Sequence, residues 1–285
     1  LIFYLAPGGR LGNQIFQAAA LLQVLEPNER LICSKMGQFM EVFEWNTPTW
    51  NIDSSSQILY KIVQKYVNLL FFAPLAHRGV ITKISEKTDR VTWFTKRGII
   101  SNFRWFYGYF QSESFFTTDV RPMLKIRQKY LDKATDFLKT VPTQRELVTV
   151  HIRRQDYLEF FDENNQPLVL PKAYYMEAIR RMKEVIPNPH FLFVSDDPDF
   201  VKSEFSDLVP QSISYNDVGT DLAIMTLSKN LITSNSSLSW WGANLGPKTG
   251  KIFAPEYWLG WTKGIWDPPG INPSFAEVIP RNSWT

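Results

Sequence analysis

The sequence predicts an α/β protein of two lobes facing a cleft, the C-terminal lobe a doubly wound parallel sheet. Three observations lead there. A length of 285 residues is about two domains at roughly 150 residues each. From Glu146 onward, strand-like apolar runs alternate regularly with helical ones. The chain also opens as strand, glycine loop and helix, the start of a crossover unit.

LIFYLAP at 1–7 reads as a short buried strand, and Gly8, Gly9 and Gly12 break that pattern before NQIFQAAALLQVLE restores a helical apolar face. RLICSK at 30–35 reads as a second strand. In SQILYKIVQKYVNLL at 56–70, Ile58, Leu59, Ile62, Val63, Tyr66, Leu69 and Leu70 recur at helical spacing, which suits packing against a core. Lys61, Lys65, His77 and Arg78 around it would equally suit a surface helix resting on an anionic or lipid-linked acceptor. The aromatic-rich piece WFYGYFQSESFF at 105–116 has no clear period. PTQRE, beginning at Pro142, separates a charged helix from the next strand and divides the chain into lobes 1–143 and 144–285. The strands of the second lobe are LVTVHI (147–152), FLFVS (191–195), SISY (212–215), NLITS (230–234) and KIFAP (251–255). Helices at 171–185, 221–229 and 237–245, and one between the second and third strands, separate them. Ligands of such a sheet lie beyond the carboxyl ends of its strands, so functional residues should follow the strands immediately.

Composition narrows the class. At 44% hydrophobic and 21% charged the chain is globular, which excludes long disorder, collagen-like repeats and disulfide scaffolds. A single cysteine, Cys33, forms no intramolecular disulfide, so the cytoplasm is the default compartment. The greasiest stretch, VNLLFFAPLA at 67–76, is half the roughly 20 residues a membrane span requires and contains Asn68 and Pro74. A net charge of +3 is far below that of a non-specific nucleic-acid binder and fits a local anion site instead.

HIRRQDY at 151–157 crowds His151, Arg153, Arg154 and Asp156 at a strand end. A guanidinium grips phosphate oxygens in a fork, so an arginine pair here suits a diphosphate, against a structural salt bridge to Asp156. In TSNSSLSWWGANLG at 233–246, Asn235, Ser236 and Ser237 lead from a strand into a helix, an anion cradle or an ordinary cap. Asp221 starts a helix, and its carboxylate could accept both the ring N–H and the amine of guanine, or simply cap. GGRLGNQ at 8–14 has neither the dinucleotide glycine spacing nor a P-loop ending. Gly9 and Gly12 allow close backbone approach, while Arg10, Asn13 and Gln14 supply donors for a sugar or phosphate. Asp197 and Asp199 in SDDPDF form a D-x-D that could hold Mg²⁺ or Mn²⁺, or a turn and helix cap. Three histidines, His77, His151 and His190, with one cysteine make no zinc cluster, and no G-x-S-x-G marks a hydrolase.

GGRLGNQIFQAAA, GYFQSESFF (108–116), HIRRQDY and DLAIMTLSKNLITSNSSLSWWGANLG (221–246) occur in the order found in α-1,2-fucosyltransferases. Together they make the chain resemble that inverting, GDP-fucose-dependent family, glycosyltransferase family 11, from Gly8 to about Pro255. The resemblance implies two Rossmann-like lobes of GT-B type, the first on the acceptor side and the second binding the nucleotide sugar. It implies metal-independent transfer of L-fucose from GDP-fucose to the 2-hydroxyl of a terminal galactose on an oligosaccharide or lipid-linked glycan. No cofactor, metal or nucleic acid is implied. Arg153 would bind the β-phosphate, Ser236 or Ser237 would donate to the same diphosphate, and His151 and Asp221 would place the guanosine. Asn13, with Gly9 and Gly12, would meet fucose and phosphate, with Gln14, Arg154 and Asn235 in the donor shell. Gln111 and Glu113 are the acceptor-side residues. The base that takes the acceptor proton is Asp156 or Glu113, or the transition state needs none; Asp156 could instead orient the arginines. Such an enzyme would assemble surface polysaccharide in the cytoplasm, with peripheral contact at the inner face of the membrane. Alternative readings are a GDP-mannose donor, another fucosyl linkage, a non-catalytic glycan-binding relative and a metal-dependent transferase centred on Asp197 and Asp199.

Overall fold

The computed structural model describes residues 1–52, 66–87, 91–116, 120–142 and 144–284. They form two compact units, Leu1–Lys125 and Ile126–Thr285.

In the first unit, strands β1 (Ile2–Leu5), β2 (Leu31–Ser34), β3 (Thr49–Asn51), β4 (Ile81–Lys87), β5 (Thr92–Lys96) and β6 (Ile100–Tyr107) form one sheet in the order β3-β2-β1-β6-β4-β5. Every neighbouring pair is parallel except the β4–β5 hairpin. Helix α1 (Leu11–Val24) follows the glycine loop, and its Leu11, Ile15, Phe16, Leu21 and three alanines are buried. Burial nearly all round is why its apolar face is so broad. A short α2 (Gly37–Val42) follows β2. The helix expected at 56–70 lies, up to residue 65, outside the described residues. Beyond it a π-helical turn, Val67–Phe72, runs into α3 (Ala73–His77), where Phe72 and Ala76 pack on Leu5, Ile81 and Trp105. Strand β5, at the edge of the sheet, and β4, between β5 and β6, escape a reading by apolar pattern because lysine, threonine, serine and glutamate interrupt their apolar residues. Lys83 and Lys87 lie over the Phe94 ring at 5.6 and 5.3 Å, covering apolar surface with their stems while their ammonium groups stay wet.

The second unit carries β7 (Leu147–Ile152), β8 (His190–Ser195), β9 (Gln211–Ser214), β10 (Asn230–Ile232), β11 (Ile252–Pro255) and β12 (Glu277–Ile279). Their order, β12-β11-β10-β7-β8-β9 with all pairs parallel, is the doubly wound 3-2-1-4-5-6 arrangement. Helices α4 (Gln128–Thr140), α5 (Lys172–Val185), α6 (Pro198–Glu204), α7 (Val218–Leu227) and α8 (Ser237–Leu245) complete it. Strand β12 has no counterpart in the sequence reading: three residues after a Pro- and Gly-rich loop carry no usable period. Val148, Val150, Ile152, Tyr174, Met182, Phe193, Ile232 and Phe253 form the core between the sheet and α5. Each such side chain contributes about 1.5–3 kcal/mol on full burial.

The division falls before α4, some way upstream of the expected 143/144 boundary. Tyr130 of α4 lies so close to α7 that a Cβ at Gly219 would sit 2.6 Å from its ring, and Lys133 pairs with Asp217 at 3.0 Å. Packing, rather than the PTQRE punctuation, therefore assigns α4 to the second unit. Among the described residues no helix is long and apolar enough to cross a membrane.

Candidate active site

In the second sheet the strand order reverses between β7 and β10, and ligands of such sheets bind beyond the carboxyl ends at that switch point. HIRRQDY leaves β7 there and TSNSS leaves β10. His151 Nδ1 and Ser234 Oγ lie 2.8 Å apart and tie the two segments together. His151 is only 4% exposed, and burial, with the Arg153 charge, holds its pKa down at about 3. It is thus a neutral brace under the site rather than an open contact for a base.

The Arg153 guanidinium pairs through one terminal nitrogen with Asp156 and through the other with Asp196, and lies 5.3 Å from the centre of the Tyr157 ring. The salt bridge to Asp156, the structural alternative to a diphosphate-binding arginine pair, is formed by Arg153, and Asp196 is a second partner that the motif does not contain. Its other carboxylate oxygen accepts the Arg154 backbone N–H at 2.8 Å, so one aspartate fixes both the loop and the arginine plane. The only sequence signal for it is its place just after β8, next to Asp197 of the D-x-D. Arg154 does not join Arg153. Its Nε donates to Asp197 at 3.0 Å and its guanidinium carbon stands 3.5 Å from the centre of the Phe200 ring, which commits it to α6. Asp197 also caps α6, accepting Phe200 N–H at 3.1 Å, whereas Asp199 is 92% exposed beside Lys202. The two carboxylates of the D-x-D thus serve different local structures.

On the β10 side Ser236 caps α8, its Oγ accepting the Leu238 N–H at 3.3 Å, and Ser237 opens the helix half-buried. Asn235 is fully buried, donating to the Leu168 carbonyl at 2.9 Å while its own carbonyl takes the Tyr157 hydroxyl at 3.1 Å. These two bonds brace the turn between β10 and α8. Asp221 stands one turn into α7, where Asp217 is the cap, accepting the Thr220 N–H at 2.9 Å. Ser214 at the end of β9 donates to Asp221 at 2.6 Å, and burial pushes its carboxyl up to about 7.

The first unit repeats this logic. Its order reverses between β1 and β6, and the loops leaving those strands meet where Gln111 Nε2 donates to Asn13 Oδ1 at 2.8 Å. Gly9 has φ of 109°, and a Cβ there would lie 2.5 Å from Asn13 Nδ2, so the loop closes on Asn13 only with glycine. Gln14 is buried and spans from the Gly9 carbonyl (3.1 Å) to the Phe39 N–H (2.8 Å), bracing the loop against α2. Gly12 is buried in the first turn of α1, and half-buried Glu113 opens a 3₁₀ turn, Glu113–Phe115. Glu86, another residue the sequence did not flag, accepts the N–H groups of Tyr109 and Phe110, both at 2.7 Å, and shapes the 108–116 loop.

Two α/β units of this kind, each with its polar cluster beyond a largely parallel sheet, make a fold of the GT-B type. The structure of POFUT1 in complex with GDP-fucose shares the fold, with a TM-score of 0.52 over 89% of this chain and 97% of that one at 14% identity. The chain belongs to glycosyl transferase family 11, whose profile matches residues 1–259. Among its relatives are the O-antigen biosynthesis glycosyltransferase WbnK of Escherichia coli, 26% identical over 90% of this chain and 94% of that protein. An α-1,2-colitosyltransferase of Escherichia coli is 26% identical over 88% of this chain and 90% of its own length.

Proposed function

We propose that this family 11 enzyme transfers L-fucose from GDP-fucose, with inversion, to the 2-hydroxyl of a terminal galactose, without a metal ion. The observation that carries the reading is Arg153 at the switch point, held in a fixed plane by Asp196. Departure of GDP places negative charge on the β-phosphate, and a guanidinium about 4 Å away contributes roughly 4 kcal/mol at an effective dielectric near 20, before desolvation. A donor already aimed at that charge costs no reorganisation during the reaction.

With two carboxylates on one guanidinium, the arginine has no surplus charge to offer a diphosphate until one partner leaves. In this reading Asp156 leaves. Its side chain is 31% exposed against 17% for Asp196, which is also bound to the Arg154 backbone. The β-phosphate takes its place on Arg153, and the released Asp156 carboxylate becomes available to receive the acceptor proton. Asp221 accepts guanine, Ser236 and Ser237 offer the α8 N-terminus to the diphosphate, and Asn13 with Gln111 and Glu113 handles fucose and acceptor. The α-1,2 linkage in one relative's name and O-antigen synthesis in the other's favour a surface-polysaccharide acceptor, free or lipid-linked, at the cytoplasmic face of the membrane.

The test is GDP release from GDP-fucose, GDP-colitose and GDP-mannose with lactose as acceptor, followed by NMR assignment of the product linkage. GDP-fucose should be the donor used and α-1,2 the bond formed, with turnover unchanged in EDTA. Arg153→Ala should lose about 10²- to 10³-fold in kcat. Preference for GDP-mannose, or wild-type turnover by Arg153→Ala, contradicts the assignment; loss of activity in EDTA returns it to a metal at Asp197 and Asp199.

A further inference from the structure

Beyond the carboxyl ends of β11 and β12 opens a cavity, about 450 Å³ in volume, lined by Glu256, Tyr257, Gly264, Pro280, Arg281 and Asn282. None of these residues belongs to a motif used above, and the volume falls in the roughly 300–1,000 Å³ range of small-molecule sites.

The pocket is built at a cost. Tyr257 and Trp258 are consecutive non-glycine residues with φ of 67° and 53°, a left-handed pair costing about 1–3 kcal/mol each. The surroundings hold them there. Trp258 is 2% exposed, Leu259 N–H donates to the Asp267 carbonyl at 3.1 Å, and Gly260 N–H closes on the Tyr257 carbonyl at 2.9 Å. The strained turn buries the tryptophan and leaves its tyrosine neighbour half-exposed at the cavity. Glu256 ties the two loops, donating its N–H to Ile279 at 3.3 Å and accepting the Arg281 N–H at 2.8 Å. A Cβ placed on Gly264 would meet Arg281 Nη1 at 3.7 Å and Tyr257 Cε2 at 3.8 Å, so guanidinium and phenol converge over that glycine.

The lining selects a chemistry. One carboxylate beside one guanidinium leaves no net charge to attract a phosphate, and the polar groups penalise a purely apolar ligand. A hydroxyl-rich neutral ligand uses donors, acceptors and an aromatic ring together. We propose that this pocket is a saccharide subsite, holding a neutral sugar of the acceptor glycan beyond the galactose that reacts. The strand spacing places it about 10 Å along the sheet edge from the β7–β10 switch point. The identity of that sugar as part of the acceptor rests on the transferase reading; binding of a saccharide does not.

The test compares lactose with a galactose-terminated linear tetrasaccharide, using the full chain. Gly264→Asn keeps the left-handed backbone, which asparagine tolerates, and puts an amide into the cavity. Arg281→Ala removes the guanidinium from the surface. Both should raise KM for the tetrasaccharide about 10-fold, the equivalent of one or two hydrogen bonds, while kcat, all lactose kinetics and GDP affinity stay unchanged. Equal effects on both acceptors, or none on either, would overturn the subsite. Saturation-transfer NMR of the tetrasaccharide without donor provides an independent reading. Signal on the sugars distal to the galactose should be present in wild type and lost in Gly264→Asn, and its persistence in the variant removes the proposal even if transfer is normal. Absence of transfer by wild type with retained NMR signal would instead sink the transferase reading alone.

Discussion

Arg153 and Arg154 are adjacent in the chain and do different work, because consecutive residues leaving a strand send their side chains to opposite sides. Arg153 turns to Asp156 and Asp196, and Arg154 to Asp197 and Phe200. Asp221 shows how burial sets the working pH of a residue. Its carboxyl is raised to about 7, yet only the ionised form can accept both guanine donors. GDP should therefore bind about 10-fold more weakly at pH 6 than at pH 8 by calorimetry, and Asp221→Asn should abolish that dependence along with most of the affinity. A flat profile in wild type would remove Asp221 from guanine recognition. The linked stability effect has a definite sign. Between about pH 4 and 7 the folded state keeps a proton that the unfolded chain releases, so stability from this group falls as pH rises. His151 acts oppositely: its folded pKa of about 3 lies below the unfolded value, so its contribution falls as pH drops below about 6.5. Urea melts of wild type against Asp221→Asn across that range isolate the aspartate's share.

At the scale of elements, both clusters depend on how a strand hands over to the helix that follows. After β1 the turn requires φ of 109° at Gly9 and a gap for Asn13 that any Cβ would close. Gly9→Ala should lower stability by about 1–3 kcal/mol and, by pushing Asn13 off Gln111, reduce kcat at least 10-fold. Gly79 is the control. It has φ of 73° with nothing within 4 Å of an added Cβ, so Gly79→Ala should show a stability loss with unchanged turnover. Matching kinetic losses in the two variants would show that Asn13 has no special role. The same scale explains the D-x-D: a Pro at the first position of α6 makes Asp197 its cap, and the cap takes Arg154 as a second partner.

At the scale of the molecule, the +3 net charge is unevenly distributed. The described stretches 66–85 and 91–112 contain no Asp or Glu, and they bring Arg78, Lys96 and Arg97 to the surface of the first unit. Ile99 N–H bonds to the Gly79 carbonyl at 2.9 Å and Lys96 to the His77 carbonyl at 2.5 Å, so these cations share one end of the sheet with Ile99, 88% exposed. Cations around a protruding apolar side chain suit an anionic bilayer. The full chain should float with phosphatidylglycerol vesicles at about 0.1 M salt, separate from them near 0.5 M, and ignore phosphatidylcholine. Ile99→Asp with Arg97→Glu should abolish flotation while leaving transfer to lactose intact; flotation that survives the double change places the contact elsewhere.

The alternation of apolar runs was enough to reveal the second sheet and the loops that follow β7 and β10, because strands buried on both faces announce themselves without help from the rest of the chain. The order of the four motifs along the chain likewise indicates the family. Local pattern could not reveal β4, β5 and β12, whose short or charged runs become strands only by pairing with distant partners. Nor could it separate Arg153 from Arg154, find Asp196 and Glu86, show that Gln14 and Asn235 are buried braces of their loops, or assign α4 to the second unit. Those outcomes depend on which hydrogen-bond partner lies nearest in space, a quantity that spacing along the chain does not contain.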